Sequence, residues 1–208
     1  MLNIAVLVSG GGTNLQALIN AQNRGELQNG KLSLVIASRP DAFALQRAEQ
    51  AGLQTAVLQR KTYKTQDNYD DALIELLAHN RIDLVVLAGF MTIISNRVIA
   101  AYPGRIMNIH PSLIPAFCGE GYYGLRVHQS ALERGVKVTG ATVHFVNEIC
   151  DGGPIILQKT VLVQANDTPE TLQKRVMEQA EWKILPQAVA LFCMHKLKIT
   201  GNTVEIAE

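Results

Sequence analysis

The sequence has few cysteines, few aromatic residues and no concentration of charge of one sign. Only three cysteines occur among its 208 residues, at Cys118, Cys150 and Cys193. Their odd number, their wide spacing and the lack of a Cys-x-x-Cys pair argue against a disulfide framework and against a cysteine-based zinc site. The formal net charge is +1, and lysine and arginine form no dense run. A nucleic-acid partner is therefore not expected, because such proteins usually carry a basic stripe.

Long apolar segments are also missing from the sequence. No hydrophobic run approaches the roughly 20 residues that span a bilayer. The segment that begins at Met1 lacks the basic residues and the cleavage site of a secretory signal. We therefore expect a cytoplasmic protein with no membrane partner. Hydrophobic residues make up 48% of the chain, which is enough for a sizeable core in one large domain.

The first half of the chain alternates short apolar runs with helical patterns. Strands are predicted at 4–8, 32–37, 56–58 and 84–88, and a helical pattern follows each of the first three. Such alternation predicts right-handed βαβ units and a doubly wound, mostly parallel α/β sheet. Ligands bind to sheets of this kind beyond the carboxyl ends of the strands.

The second half of the chain departs from this alternation. Strands are predicted at 106–109, 141–146 and 155–163, with a glycine-rich loop at 117–124 and a short helix at 129–134. The residues Thr168-Pro169-Glu170 predict the start of a long C-terminal helix that bends near Pro186. Residues 196–206 predict a closing hairpin. The C-terminal part of the sheet is therefore expected to be antiparallel.

Two polar side chains alternate along one predicted strand, within Asn108-Ile109-His110-Pro111-Ser112-Leu113. In an extended chain Asn108 and His110 point to the same face. Two hydrogen-bond donors on a rigid strand end suit a polarised carbonyl or a tetrahedral oxyanion. Asp151 lies in a predicted turn of the same half of the chain. It is either a simple turn former or a partner of His110, whose pKa a nearby carboxylate raises.

A glycine-rich segment, Ser9-Gly10-Gly11-Gly12-Thr13-Asn14, follows the first predicted strand and opens a helix. Glycines allow backbone N–H groups to approach an anion, and the helix dipole favours a phosphate there. Leu15 stands in place of the third glycine of a dinucleotide fingerprint, and no acidic residue follows the second strand. The segment therefore predicts a monophosphate site, with a tight turn that binds nothing as the alternative. Thr13 and Gln16 have the spacing of a capping box.

Two further histidines require an interpretation. His144 lies within a predicted strand, and we expect it to be a hydrogen-bonded histidine of the core. His128 follows the glycine-rich loop at 117–124, and both a packing role and a place in the cleft stay open for it.

Four segments of the sequence occur in the order that is found in the folate-dependent formyltransferases. They are Gly11-Gly12-Thr13-Asn14-Leu15, Ala88-Gly89-Phe90-Met91, Asn108 to Leu113, and His144 to Ile155. The sequence resembles the phosphoribosylglycinamide formyltransferase family over essentially its whole length. Methionyl-tRNA formyltransferases and formyltetrahydrofolate deformylases are similar only to its middle part. The resemblance implies one Rossmann-like domain at 1–208, with a ribonucleotide-binding half at 1–105 and a catalytic, folate-binding half at 106–208.

The resemblance also implies an activity and a set of site residues. The reaction is formyl transfer from 10-formyltetrahydrofolate, a co-substrate, to the amine of 5-phosphoribosylglycinamide in purine biosynthesis, and it needs no metal. Asn108 and a protonated His110 would stabilise the oxyanion, and Asp151 would keep the imidazole charged. The ribonucleotide would contact Gly11, Gly12, Thr13, Asn14 and Glu181. The folate would contact Met91, Thr92, Ile93, Ile94, Asn108, Asn147, Glu148, Ile149, Cys150, Asp151 and Gln66.

The sequence departs from the family pattern at a few positions. Thr92 stands where many members have arginine, and Gln66 stands where another basic folate contact is common. The helix that carries Glu181 has one extra residue before it, and the loop at 118–125 is longer than in many relatives. Small-molecule substrates and a monomer or weak homodimer are expected. Hydrolysis of the formyl folate, a nucleotide-binding module without turnover, and an NADP-dependent reductase suggested by Arg39 are the alternatives.

Overall fold

The computed structural model describes residues 1–207 of the chain. These residues form two compact units, of which the first is Met1–Met107 and the second begins at Asn108. The boundary falls two residues from the division that the sequence predicts between residues 105 and 106. No helix among the described residues is long and apolar enough to cross a membrane.

The first unit is built on parallel strands in the order β3-β2-β1-β4. The expectation of an α/β fold whose N-terminal sheet is parallel is therefore confirmed. The strands are β1 (Leu2–Val8), β2 (Gly30–Ala37), β3 (Gln54–Val57) and β4 (Leu84–Leu87). The helices are α1 (Thr13–Asn23), α2 (Phe43–Gln50), α3 (Gln66–His79) and α4 (Asn96–Ala101), with a 3₁₀ turn at Arg60–Thr62.

The parallel strands of the first unit are buried on both faces, which explains their unbroken apolar sequences. All four residues of β4 are buried, and so are the last five residues of β1. Helices cover both faces of a doubly wound sheet, so neither side of such a strand meets water. The core of this unit therefore lies along β1, β2 and β4.

The second unit contains the antiparallel part of the sheet. The strand β5 (Ile106–His110) carries the chain into this unit. Its later strands lie in the order β6-β7-β9-β8, with β6–β7 and β8–β9 antiparallel, as the sequence predicts for the C-terminal portion. These elements are α5 (Leu125–Arg134), β6 (Val138–Phe145), β7 (Ile155–Leu162), α6 (Pro169–Val176), α7 (Trp182–Cys193), β8 (Leu197–Thr200) and β9 (Thr203–Ile206).

Two helices differ from the sequence prediction. The helix α5 begins at Leu125, four residues before the expected start, because Gly124 with a φ of 55° ends the loop directly at the helix. The short helix α4 was not predicted, since six residues carry too little periodicity. Its start is nevertheless marked by Ser95, whose hydroxyl accepts the N–H of Val98.

The C-terminal helical segment starts as predicted but contains an irregular turn. Thr168 caps α6 by a capping box with Thr171, and Pro169 is the first helical residue. A π-helical turn at Met177–Glu181 separates α6 from α7. Pro186 lies inside α7 and does not end it. The irregularity therefore lies ahead of the proline, in the turn that ends at Glu181.

One glycine of β6 allows a close approach between strands, and we expect Gly140→Ala to destabilise the second unit by about 1–3 kcal/mol. A Cβ atom at this position would overlap the Lys159 carbonyl oxygen and would lie 2.8 Å from a methyl carbon of Leu113. Urea unfolding of the variant and the parent protein measures the loss. Equal free energies of unfolding would contradict the packing argument, and Ala141→Gly in the same strand provides the reverse exchange for comparison.

Candidate active site

Three residues predicted to act together meet in the second unit around one carboxylate. Asn108 and His110 lie in β5, and Asp151 lies in the turn between β6 and β7. The Asn108 Nδ2 atom donates to Asp151 Oδ1 over 3.3 Å, and His110 Nδ1 lies 3.5 Å from Asp151 Oδ2. The structure thus brings together an amide, an imidazole and a carboxylate, although Asn108 and Asp151 are 43 residues apart in the sequence.

The Asp151 carboxylate is the centre of this cluster. Besides Asn108, it accepts the backbone N–H of Gly119 at 2.9 Å, and its Oδ1 lies 3.6 Å from His144 Nε2. Burial acts to raise the pKa of Asp151, but the contact with His144, the charge of His110 and the Gly119 N–H together hold it below its ordinary value. Asp151 is therefore ionised at neutral pH.

His110 is almost completely buried, and both of its ring nitrogens face acceptors. Its Nε2 atom lies 2.9 Å from the Phe117 carbonyl oxygen, which can only accept, so Nε2 carries a proton. Burial lowers the pKa of His110, and this effect exceeds the opposite effects of Asp151 and the Phe117 carbonyl. Asp151 raises the pKa of His110, as the sequence predicts, but burial lowers it by more, so the net pKa lies below its ordinary value.

His144 belongs to this cluster, although its position in a strand gave it only a core role. Its Nδ1 atom contacts the Phe145 carbonyl oxygen at 2.8 Å and therefore carries a proton. Its Nε2 atom lies 3.2 Å from Asn108 Nδ2 and 3.6 Å from Asp151 Oδ1. His144 and Asp151 together fix the Asn108 amide. One sequence feature could have indicated this role of His144. It lies two residues after Thr142 in a buried strand, so the two polar side chains share one face.

In the first unit, the glycine-rich segment forms a tight turn into α1. Gly12 is the N-cap residue with a φ of 70°, and a Cβ atom there would lie 2.6 Å from the Cβ of Ala44. The Arg47 Nε donates to the Gly11 carbonyl oxygen at 2.8 Å and holds the turn. The predicted capping box of Thr13 and Gln16 is wrong, because the cap position is a glycine without a side chain. A helix start without a side-chain cap suits an anion.

The predicted folate contacts of the first unit lie after β4 and at the start of α3. The N–H of Met91 donates to Ser9 Oγ at 2.8 Å, and the side chain of Ile93 is largely exposed. The amide of Gln66 accepts from Arg60 Nε at 2.7 Å and donates to the buried Asp70 at 2.7 Å. The other two predicted folate contacts of this unit, Thr92 and Ile94, lie in the same loop as Met91.

The predicted contacts of the second unit lie in the loop before Asp151 and at the end of the π-helical turn. The Asn147 carboxamide shapes this loop, since its Oδ1 accepts the N–H of Ile149 and its Nδ2 donates to the Gly152 carbonyl oxygen. Glu148, Ile149 and Cys150 follow, and the side chain of Ile149 is two-thirds exposed. Glu181 is the last residue of the π-helical turn and is 6% exposed. Within residues 1–207, no group of His, Cys, Asp and Glu side chains is placed to hold a metal ion.

The model of the formyl transferase family matches residues 2–189. The chain belongs to the formyl transferase family. Among the formyl transferases it is similar to, the phosphoribosylglycinamide formyltransferase of Escherichia coli is 42% identical over 201 residues, which are 97% of this chain and 92% of the relative. That of Haemophilus influenzae is 41% identical over 202 residues, with the same coverage of both chains.

The chain is also similar to a much longer protein and to a formyl transferase whose crystal structure has been solved. The human trifunctional purine biosynthetic protein adenosine-3 is 42% identical over 205 residues, but the chain spans only 19% of its length. The crystal structure of glycinamide ribonucleotide transformylase 1 from Symbiobacterium toebii has a TM-score of 0.94 and 43% identity, and the match covers 100% of this chain and 95% of that chain. This agreement confirms the formyltransferase fold expected from the sequence.

Proposed function

We propose that the chain transfers the formyl group of 10-formyltetrahydrofolate to the amine of 5-phosphoribosylglycinamide. The observation that carries the proposal is the arrangement of Asn108 and His110 around the ionised Asp151, with atoms 3.3 to 3.5 Å apart. Two N–H donors beside a carboxylate suit a carbonyl that becomes an oxyanion. The two bacterial relatives that the chain covers almost fully carry the name of this activity.

The reaction forms one carbon–nitrogen bond and breaks another. The substrate amine attacks the formyl carbon, and the carbonyl oxygen becomes an oxyanion that the Asn108 amide and His110 Nε2–H stabilise. Collapse of this intermediate breaks the bond to the folate nitrogen, which gains the proton that the amine loses. The oxyanion charge increases the proton affinity of His110, and Asp151 faces its Nδ1 to stabilise the imidazolium form. Asp151 thus holds the Asn108 amide in the free protein and also stabilises the imidazolium form of His110 during the reaction.

The substrate contacts follow the residues assigned from the family resemblance. The phosphate of the ribonucleotide would meet the turn of Gly11, Gly12, Thr13 and Asn14, and Glu181 would accept from the ribose hydroxyls. The folate would contact the residues after β4, Gln66, and the loop 147–151. The proposal includes a cytoplasmic location, small molecules as the only substrates, and a monomer or weak homodimer.

The test is an assay of the purified chain with both substrates. We expect one equivalent of formylated ribonucleotide for each tetrahydrofolate, and no tetrahydrofolate when the ribonucleotide is omitted. Release of tetrahydrofolate and formate without the ribonucleotide would instead establish hydrolysis. Binding of both ligands by calorimetry without product in a single-turnover experiment would establish a binding module.

Gly12→Ala is expected to raise the KM for the ribonucleotide about tenfold or more, with a smaller effect on the KM for the folate. The added methyl would collide with Ala44 at a backbone conformation that L-residues rarely adopt, and strain of this kind costs about 1–3 kcal/mol. Steady-state kinetics measure both constants. The double variant Gly12→Ala/Ala44→Gly removes the collision between the two methyl groups but keeps the 2.8 Å approach to the Cα of residue 44, so it should recover only part of the affinity. An unchanged KM in the single variant would refute the role of this turn.

A further inference from the structure

The residues assigned to the folate include no positively charged side chain. Those of the first unit, Gln66 and the segment from Met91 to Ile94, are uncharged, and those of the second unit include the acidic Glu148 and Asp151. A folate, however, ends in a glutamate, whose carboxylates are ionised at neutral pH. Carboxylates form their strongest hydrogen bonds with guanidinium and ammonium groups. The assigned contacts therefore leave the charged tail of the co-substrate without a partner.

The carboxamide of Gln66 is engaged by a neighbour on each side. Its Oε1 atom accepts from Arg60 Nε at 2.7 Å, and its Nε2 atom donates to Asp70 Oδ1 at 2.7 Å. Asp70 is 1% exposed, and its second oxygen accepts from Ser95 Oγ at 2.6 Å. Ser95 directly follows the loop from Met91 to Ile94 and caps α4. A chain of hydrogen bonds thus connects this loop, through Gln66, to a guanidinium group.

The guanidinium of Arg60 is fixed in position but has no anionic partner among residues 1–207. Its Nη1 atom donates to the Tyr63 carbonyl oxygen at 3.1 Å, so both of its described acceptors are neutral groups. The N–H groups of Nη2 have no acceptor in this part of the chain. Arg39 of the same unit, by contrast, is paired with Asp41 at 2.8 Å. Arg60 is therefore an unpaired cation in direct contact with a residue assigned to the folate.

We propose that Arg60 binds a carboxylate of the folate's glutamate tail and that Gln66 holds the guanidinium in place for this contact. The planar fork of a guanidinium suits a carboxylate, and the Nη2 atom of Arg60 supplies N–H donors that the protein does not use. Because Nε and Nη1 are already held, the side chain loses less entropy on binding. Arg60 thus selects folates with a charged tail over those with an uncharged one. This inference rests on the proposed function, since the proposed co-substrate supplies the carboxylate.

The kinetic test uses two co-substrates that differ only in the tail. They are 10-formyltetrahydrofolate and 10-formyltetrahydropteroyl amide, in which an uncharged primary amide replaces the glutamate. We expect Arg60→Gln to raise the KM for 10-formyltetrahydrofolate about 5- to 50-fold, because a hydrogen bond to a charged group is lost. The kcat value and the KM for the ribonucleotide should change less than about threefold. With the amide, the KM values of Arg60→Gln and the parent should agree within about twofold.

Lys61→Gln is the matched control for this substitution. Lys61 is an exposed cation that follows Arg60 in the same 3₁₀ turn, and the substitution removes the same charge. We expect its KM values for both co-substrates to stay within about twofold of the parent values. The comparison thus separates a specific contact from a general attraction between the protein and an anionic ligand.

Three results would each overturn the inference. A KM for 10-formyltetrahydrofolate in Arg60→Gln within twofold of the parent would show that the tail does not use this guanidinium. An equal rise of the KM for both co-substrates would show that the substitution disturbs the site rather than the tail contact. A rise in Lys61→Gln as large as that in Arg60→Gln would show that only the net charge of the turn matters.

A double-variant cycle tests the part assigned to Gln66. Gln66→Met keeps the length of the side chain but can neither accept from Arg60 nor donate to Asp70. If Gln66 acts by holding Arg60, Gln66→Met alone raises the KM for 10-formyltetrahydrofolate, and Arg60→Gln/Gln66→Met stays within about twofold of Arg60→Gln. Multiplication of the two single effects in the double variant would overturn this part, because it would show that Gln66 contacts the tail independently.

Calorimetry with tetrahydrofolate, the proposed product, tests the contact without turnover, since the product has the same glutamate tail. We expect the Kd to be about 5- to 50-fold higher in Arg60→Gln than in the parent at low salt. Added KCl should weaken binding more steeply in the parent, because salt screens the attraction between exposed charges. Equal Kd values or parallel salt profiles would overturn the inference. A parent enzyme that forms no formylated ribonucleotide would refute the proposed function separately, and the calorimetric comparison would still test Arg60.

Discussion

Asp151→Asn is expected to lower kcat for formyl transfer by about 10²–10⁴-fold, the range that a positioned acid–base group contributes. Both carboxylate oxygens of Asp151 accept hydrogen bonds, one from Asn108 and the other from Gly119. An asparagine side chain has only one oxygen, so either orientation places its NH₂ group against an N–H donor. The variant also loses the negative charge that faces His110. The measurement is kcat with both substrates saturating.

Glu133→Gln is the matched control for this substitution. Glu133 is an exposed carboxylate of α5 that accepts from Gln129, and it lies outside the cluster around Asp151. We expect it to retain the parent kcat within about twofold. Urea unfolding of both variants tests whether the second unit stays folded. A kcat of Asp151→Asn within tenfold of the parent, with an intact fold, would refute the role assigned to this carboxylate.

Acid is expected to destabilise the protein by about 3 kcal/mol through His128 alone. The pKa of this histidine falls from 6.5 to about 4 on folding, because burial and the charge of His110 disfavour its protonated form. Between these two values the unfolded chain binds a proton that the folded chain does not bind. The free energy of unfolding therefore decreases as the pH falls from 6.5 to about 4, and one pKa unit is worth about 1.4 kcal/mol. Below pH 4 this contribution changes no further.

The difference between the parent protein and His128→Phe isolates this contribution. Urea unfolding at several pH values from 7.5 to 4 gives the free energy for each protein, and the parent should lose about 3 kcal/mol more than the variant across this range. His110 shifts in the same direction and is present in both proteins. Parallel pH profiles would show that His128 is not buried in its neutral form.

The architecture follows from the sequence because strands that are buried on both faces leave a clear signal. The segments at β1 and β4 are apolar throughout, and glycines or polar residues mark their ends. The antiparallel hairpin of β8 and β9 is equally visible from its turn at residues 201 and 202. The start of α5 is less visible, since a left-handed glycine rather than a capping side chain precedes it.

The candidate site is predictable only as far as each residue carries its own local signal. The spacing of Asn108 and His110 places both on one strand face, and Asp151 lies in the expected turn. The membership of His144 depends on the contact of its Nε2 with Asn108, which no local pattern encodes. The same holds for the net pKa of His110, because the sequence shows the nearby carboxylate but not the extent of burial. Tertiary contacts decide both.

The π-helical turn at Met177–Glu181 makes the C-terminal helical segment tolerant of changes in length. A residue added to an α-helix rotates everything after it by about 100°, but a π-helical turn takes up the addition locally. The buried face of α7, with Leu185, Ala188 and Val189, thus stays directed at the core across the irregular turn. Deleting one residue of the turn would restore regular helix and leave both flanking faces in phase. The chain can therefore gain or lose one residue at this turn and keep the buried face of α7 against the core.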